Sequence, residues 1–478
     1  MNNKLEKRYG LLTAICMVVG IVIGSGVFFK AQTILQLTGG NLQMGIAAWI
    51  IGGLIMLFCA LAFSTMAMKY EKVNGVVDYS EATLGHGYAY YVGWFMIMIY
   101  FPAMTSVVAW VTARYTLTFM QSANPDLVLS EGGTVASAEC MVLTLLFLCL
   151  SFAINALAPV VAGKVQVSTT VIKLIPLGLM AVVGLIYGMS TGQLTENFNT
   201  VVDASVSEAV EGAGFMSNPL FAAVVATSFA YEGWIVATSI NAEIKDAKKN
   251  LPRALIIGAI VVITVYVMYF IGVAGGASST QLMNEGATVA FTNIFGNVVG
   301  NILNLFIAIS CFGTLNGLML GTCRGMYSLA VRGEGILPEF FAKIDNTTKM
   351  PVNSAIFALL ACSVWFAYFY FANLASGNWL GFFSFDSSEL PIVTIYALYI
   401  PIFIRFMKQA DDMGTVRRYV IPALAICGSL FMVVATIFSH GIKPYYAAKA
   451  VGEFSCPVLG YLIIFAVVMI IGWKIRKK

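Results

Sequence analysis

Two short stretches carry residue types that ordinary apolar helices avoid. The first reads Ser228-Phe229-Ala230-Tyr231-Glu232-Gly233-Trp234, with a carboxylate and a glycine inside a hydrophobic run. An acid at membrane depth is costly and points to function, although a place near a helix end lowers that cost. The second reads Gly20-Ile21-Val22-Ile23-Gly24-Ser25-Gly26-Val27-Phe28. Each glycine costs a helix about 1 kcal/mol relative to alanine. One reading of Gly20 and Gly24 is close helix packing, because small residues four apart let helices approach. The other is an unwound segment. A phosphate loop is rejected, since no strand precedes this apolar stretch.

Unwinding would bare helix ends, and helix ends do chemistry without reactive side chains. If the chain opens near 23–26, the following half-helix offers free N–H groups and the positive end of its dipole. Such an end favours a carboxylate by up to about 2 kcal/mol when partly buried. Gly24 and Gly26 allow close backbone approach, and Ser25 adds a hydroxyl. The preceding half-helix ends in unpaired carbonyls near 20–23, as does the second stretch near Phe229 and Ala230; these suit an ammonium. Tyr231 and Trp234 either line a side-chain pocket or pack the core. Lys173, in Val171-Ile172-Lys173-Leu174-Ile175-Pro176, is a further candidate. It lies about nine residues, or roughly 14 Å, from the nearer expected helix end, farther than a lysine stem spans. Asn316 is read as a pocket group or an interhelical hydrogen bond, and Arg114 as an interfacial side chain reaching toward headgroups.

The elements that position these residues follow from composition. Hydrophobic residues fill 59% of 478 positions and charged residues only 10%, with a mean hydropathy of +0.85. A soluble surface needs about a quarter charged residues, so lipid must solvate this one. Twelve apolar runs meet the requirement of roughly 20 residues per crossing. They are 9–36, 43–68, 87–120, 137–158, 164–190, 216–243, 252–275, 295–330, 352–373, 388–407, 418–439 and 454–473. The basic start at residues 1–12 resembles a secretory leader, but the long run after it predicts a first span.

Charge tests the count. With the N-terminus inside, 22 of 27 lysines and arginines fall in inner segments. The exceptions are Lys30, Arg114, Lys173, Lys443 and Lys449, and the outer loops near 121–136, 191–215, 276–294 and 374–387 hold no basic residue. Basic residues stay cytoplasmic during insertion, so both termini are predicted inside. The net charge of +4 thus reports topology, and no basic, aromatic-interleaved patch suggests nucleic acid. The nine cysteines lack metal-ligand spacing and read as small hydrophobes; His86 and His440 are too far apart for a cluster. No metal or cofactor is expected.

Runs 1 and 6 are five spans apart. Five is odd, so two five-helix halves, 9–190 and 216–407, would have inverted topology, with 418–473 appended. Interruptions at matching positions of such halves mark a transporter's central site.

At these residues the chain resembles an amino acid permease of the amino acid–polyamine–organocation superfamily, within it the L-type amino acid transporter branch and its bacterial serine/threonine exchangers. The resemblance rests on 20–28, on 229–234, on Glu243-Ile244-Lys245 through Asn250-Leu251-Pro252-Arg253, and on a fourth group. That group is Gly313, Asn316, Gly317, Arg324, Tyr327 and Arg332-Gly333-Glu334-Gly335-Ile336-Leu337-Pro338. It implies an all-α, LeuT-like membrane fold of twelve transmembrane helices, a 5+5 inverted repeat with helices 1 and 6 discontinuous. It also implies a substrate carboxylate at Ser25, Gly26 and Val27, beside Gly24. The ammonium would sit at the carbonyls of Ile23 and Phe229, next to Ala230, Tyr231 and Glu232, with Phe229 as an aromatic gate. Lys173 would stand where sodium-coupled relatives bind a cation, tethering helix 1 to helix 8. Glu232 departs from the pattern, since relatives often carry a small residue or Asp there. Animal relatives bond a heavy subunit through a cysteine near the 121–136 loop. Cys140 is read instead as the start of a buried helix, and no heavy subunit is expected.

The function expected is sodium-independent exchange of neutral L-amino acids at the cell membrane. Proton-coupled uptake or amino acid/amine antiport is the alternative. A receptor-like sensor lacks a signalling domain, and an enzyme lacks paired carboxylates or a histidine cluster. Oligomeric state is open.

Overall fold

The computed structural model describes residues 10–70, 75–235, 244–377 and 379–476. Glu243, Lys72 and the last part of run 216–243 lie outside the described residues. Among those described, the long elements are all helices. In chain order they are α1 Leu11–Val22, α2 Gly26–Leu37, α3 Leu42–Lys69, α4 Gly75–Leu84, α5 His86–Ala123, α6 Ala138–Leu157 and α7 Pro159–Thr191. Then come α8 Pro219–Ala230, α9 Ala247–Gly276, α10 Ala287–Ala330, α11 Val352–Leu374, α12 Leu390–Gln409, α13 Val416–Ala450 and α14 Pro457–Arg476. Ten of these are long and apolar enough to cross a membrane, and each coincides with a run expected from the sequence. The chain is a multi-pass membrane protein.

Local chemistry sets the starts. The Asn41 side chain accepts from the Met44 N–H at 3.0 Å, Ser137 from Cys140 at 3.2 Å and Asn218 from Leu220 at 2.9 Å. Each satisfies an N–H that has no acceptor inside its own helix. Run 295–330 starts where expected: Gly296, at φ 76° and ψ 169°, breaks the chain between a short helix from Ala287 and the long one that follows. One run differs from expectation. Run 418–439 continues to Ala450, because Ser439 and His440 do not open a loop; a wide turn at Ile437–Ile442 carries them within the helix.

Burial separates inner from outer helices. The most apolar window of α5 is 89% buried, whereas that of α14 is 17% buried and those of α11 and α6 are 28% and 33%. The α5 helix is therefore the axis on which the others pack, and α14 faces lipid. The crossing of α9 with α7 depends on glycine. A Cβ on Gly272 would stand 1.9 Å from the Met180 carbonyl oxygen, and one on Gly188 would stand 2.4 Å from the Gly275 Cα. The two backbones touch, as small-residue contacts in lipid require.

Gly272→Val should therefore lower the melting temperature in detergent, since overpacking a close contact costs about 1–3 kcal/mol. Gly178→Val on α7, where a Cβ meets nothing within 4 Å, should leave it unchanged. Equal melting of the two variants would show that the contact carries no weight.

Candidate functional site

The two unusual stretches are both interrupted, and they meet. Helix α1 ends at Val22; Ile23 is extended at φ −67°, ψ 103°, and α2 restarts at Gly26. Helix α8 ends at Ala230, followed by a turn whose Gly233 sits at φ 101°, where other residues are strained. A Cβ on Gly26 would fall 2.4 Å from the Ala230 Cα, so main chain touches main chain. One on Gly24 would fall 2.5 Å from Thr314 Oγ1 of α10. Ile23, Ser25, Val27 and Ala230 are buried around this contact.

One side chain joins the interruptions. The Tyr266 hydroxyl on α9 lies 2.9 Å from the Val22 carbonyl oxygen and 3.1 Å from that of Ala230. A phenol has one proton, so these two carbonyls share a single donor. Lys173 donates to a third carbonyl of the same helix end, Gly20. The sequence marked Lys173 but missed Tyr266, which sits in an apolar run with no local signal.

The remaining candidates divide. The Tyr231 hydroxyl donates to the Trp49 carbonyl at 2.8 Å, and the Trp234 ring packs against Phe63 and Tyr399. Both rings pack the core. Asn316 accepts from Asn155 at 2.9 Å and donates to the Ala162 carbonyl at 3.1 Å, tying α10 to α6 and α7. It is an interhelical bond. Glu232 turns away from the meeting point and accepts from the Tyr100 hydroxyl of α5 at 2.5 Å. Phe229 stacks edge-on against Phe29, ring centroids 5.9 Å apart.

The sequence analysis overlooked the polar cover beside Phe229. Lys30 Nζ stands 5.4 Å from the Phe229 ring centroid and 2.6 Å from Glu389 Oε1, both charged groups being buried. Lys30 also donates to Ser388 at 3.1 Å, while His440 Nε2 lies 3.0 Å from the other Glu389 oxygen. A signal existed, since Lys30 broke the alternation of basic residues. Arg114 broke it too. Half-buried, its guanidinium donates to Gln32 at 2.9 Å and lies against the aromatic faces of Phe29 and Trp110. At the other end of α5, Arg332 pairs with Asp78 at 2.6 Å and Glu81 at 3.4 Å, and His86 meets Glu334 at 2.9 Å. Burial pushes the Glu334 carboxyl up from its ordinary range, against the pull of His86, Arg476 and Arg332. Among the described residues no group of three or more His, Cys, Asp or Glu could hold a metal.

Known proteins resemble this chain. The family model described as amino acid permease matches residues 9–448. The chain belongs to the amino acid permease family. This permease is 30% identical over 471 residues to the serine/threonine exchanger SteT of Bacillus subtilis (strain 168), covering 94% of the chain and 98% of SteT. It is 27% identical to the human cystine/glutamate transporter over 359 residues, 74% of the chain and 66% of that protein. With the mouse b(0,+)-type amino acid transporter 1 it shares 24% over 448 residues, 93% and 85% of the two chains. Among solved structures, MhsT in complex with L-phenylalanine matches with a TM-score of 0.59 at 12% identity, over 91% of this chain and 99% of that one. That likeness concerns the fold. The permease is a transporter rather than an enzyme.

The Lys30–Glu389 pair should hold α2 to the start of α12. Removing one partner of a buried pair typically costs about 3–5 kcal/mol, because the other is left uncompensated. Lys30→Met should thus lower the melting temperature in detergent, and adding Glu389→Gln should restore much of it. Unchanged melting in Lys30→Met would refute this.

Proposed function

We propose that the permease exchanges neutral L-amino acids without sodium, by alternating access around the two helix interruptions. One observation carries the reading. The carbonyl ends of α1 and α8 converge on a single hydroxyl, while the N-terminal end of α2 starts beside them. Helix ends of opposite sign at one point suit a zwitterion. In this reading the carboxylate binds at Ser25, Gly26 and Val27, with Gly24 giving room. The ammonium takes the carbonyls of Ile23, Phe229 and Ala230, displacing the Tyr266 hydroxyl. Tyr231 contributes main chain rather than ring, and the Phe229 ring closes over the substrate.

Lys173 serves as a built-in cation. In this reading its bond to the Gly20 carbonyl supports a cationic group at the helix end where a sodium ion would otherwise be needed, and Asn316 braces the helices around it. The architecture proposed is twelve spans in two inverted halves, 9–190 and 216–407, followed by 418–473. Support comes from packing at matching positions: α2 lies against α8, α3 against α9 and α5 against α10. The basic residues put both termini in the cytoplasm of a cell-membrane protein. The end of α5 bearing Arg114 then faces out. Cys140, fully buried in α6, supports function without a disulfide-linked heavy subunit. SteT, named a serine/threonine exchanger, supports both exchange and neutral substrates.

The alternative of proton coupling draws on one contact. Glu232 is a half-buried acid whose side-chain partner is the neutral hydroxyl of Tyr100, with no ion pair among the described residues. Counterflow in proteoliposomes separates the two. Labelled serine should enter several-fold faster against internal neutral amino acids, equally in sodium or choline and with or without a pH gradient. Uptake that needs an inward proton gradient and is lost in Glu232→Gln would overturn exchange in favour of symport. Lys173→Ala should cut exchange by about tenfold or more, the scale of one charge-assisted hydrogen bond; unchanged kinetics would remove Lys173 from the mechanism.

A further inference from the structure

We propose that Arg114 is an outer receiving site for a carboxylate, met by an amino acid before it reaches the helix interruptions. The proposal rests on the transport reading and its orientation. Arg114 lies one helical turn beyond Trp110 on α5. Its guanidinium stands 5.9 Å from the ring centroid of Phe29, 5.8 Å from Trp110 and 6.0 Å from Tyr115. Its Nη2 donates to Gln32 Oε1. Gln32 is itself pinned, since its Nε2 donates to the carbonyls of Met283 and Asn284, each at 3.0 Å. Its oxygen therefore has to face the arginine.

Donor accounting leaves part of the guanidinium without a protein acceptor among the described residues. It carries five N–H donors in a planar fork. Gln32 engages one nitrogen, and no carboxylate lies within ion-pair distance among the described residues. Aromatic faces attract the cation without accepting hydrogen bonds in the plane of the fork, so its donor edge stays available. Lys30 is the contrast. It stands 5.1 Å from the same Phe29 ring, and Glu389 neutralises it. Phe29 thus separates a paired cation from an unpaired one.

A half-buried arginine set among aromatic rings, with no carboxylate of its own among the described residues, suits a counter-charge brought by a ligand. The planar fork matches a carboxylate in two-point fashion. The site also lies on the route. Phe29 touches Phe229, and Phe229 belongs to the last turn of α8, directly before the interruption. A carboxylate held by Arg114 would wait on the outer side of that ring pair, with the helix ends behind it. All α-amino acids carry the needed group; a dicarboxylic amino acid carries a second.

Sided kinetics test this. In oriented proteoliposomes, Arg114→Gln should raise the external KM for serine about tenfold, the scale of one charge-assisted hydrogen bond. Internal KM and maximal rate should stay within about twofold, and Arg114→Lys should recover part of the loss. A rise for external serine and glutamate alike assigns the α-carboxylate; a rise for glutamate alone assigns the side chain. An external KM unchanged for both overturns the proposal. If Arg114→Gln does not fold, wild-type protein decides. External serine should slow phenylglyoxal modification of Arg114, whereas ethanolamine, which lacks the carboxylate, should not; equal modification rates overturn the proposal. Wild-type protein that exchanges nothing would sink the transport reading instead, a separate outcome.

Discussion

Lipid offers no hydrogen bonds, so every main-chain carbonyl within the bilayer needs a partner from the protein itself. The two interruptions violate that rule at one place, and much of the interior compensates for it. Tyr266 supplies a hydroxyl to Val22 and Ala230, and Lys173 supplies an ammonium to Gly20. Both donors come from helices outside the interrupted pair, α9 and α7. The close glycine contact between those two helices then has a second meaning. It fixes the spacing of the supports that hold the carbonyl ends. Because one proton serves two carbonyls, the arrangement is only partly satisfied. A ligand with three donors on one nitrogen would satisfy it better than a phenol does, which is the physical root of the affinity proposed for an ammonium.

The charged residues tell a related story. Those that obey the inner-loop pattern need little explanation. Of the exceptions, Lys30 and Lys173 are buried and Arg114 is half-buried, and each meets a different kind of partner. Lys173 finds a helix carbonyl, Lys30 a carboxylate and Arg114 an amide oxygen. Deviation from the topological rule thus marked side chains with polar partners inside the protein. Lys443 and Lys449 fit less well: they sit in the extension of α13 that the sequence placed in a loop.

Legibility in the sequence followed the range of the interactions. Spans were readable because crossing a bilayer needs a local run of apolar residues, and the interruption of run 1 was readable because glycine weakens a helix locally. The turn after Ala230 was flagged by Glu232 and Gly233 for similar reasons. Partners were not readable. Lys30 and Glu389 are 359 positions apart, and nothing local announces that they meet. Tyr266 looks like any aromatic residue of an apolar run. Tyr231, Trp234 and Asn316 were left between two roles, and packing against α3, α12 and α6 decided each. Side-chain direction on a helix depends on neighbours that the sequence does not order in space.

The two ends of α5 are closed by contacts of different kinds, and this bears on any transport cycle built on them. Beside Arg114, closure rests on one buried cluster, Lys30 and His440 on Glu389, set against the Phe29–Phe229 rings. Around His86 it rests on several charges, with side-chain exposures of 10% at Glu334, 20% at Arg332, 31% at Glu81 and 51% at His86. Partly solvated pairs are each worth about 0–1 kcal/mol and are screened by salt. A buried pair is screened far less, and separating it exposes two charges that water must reach. Opening at the Lys30 end therefore requires hydration of the cleft as it parts. Opening at the His86 end can proceed pair by pair, with water already present. A substrate arriving at the Lys30 end brings its own charges, which can replace part of that missing water. Ligand binding and opening are thereby linked through the same desolvated groups, without any need for a signal carried along the helices.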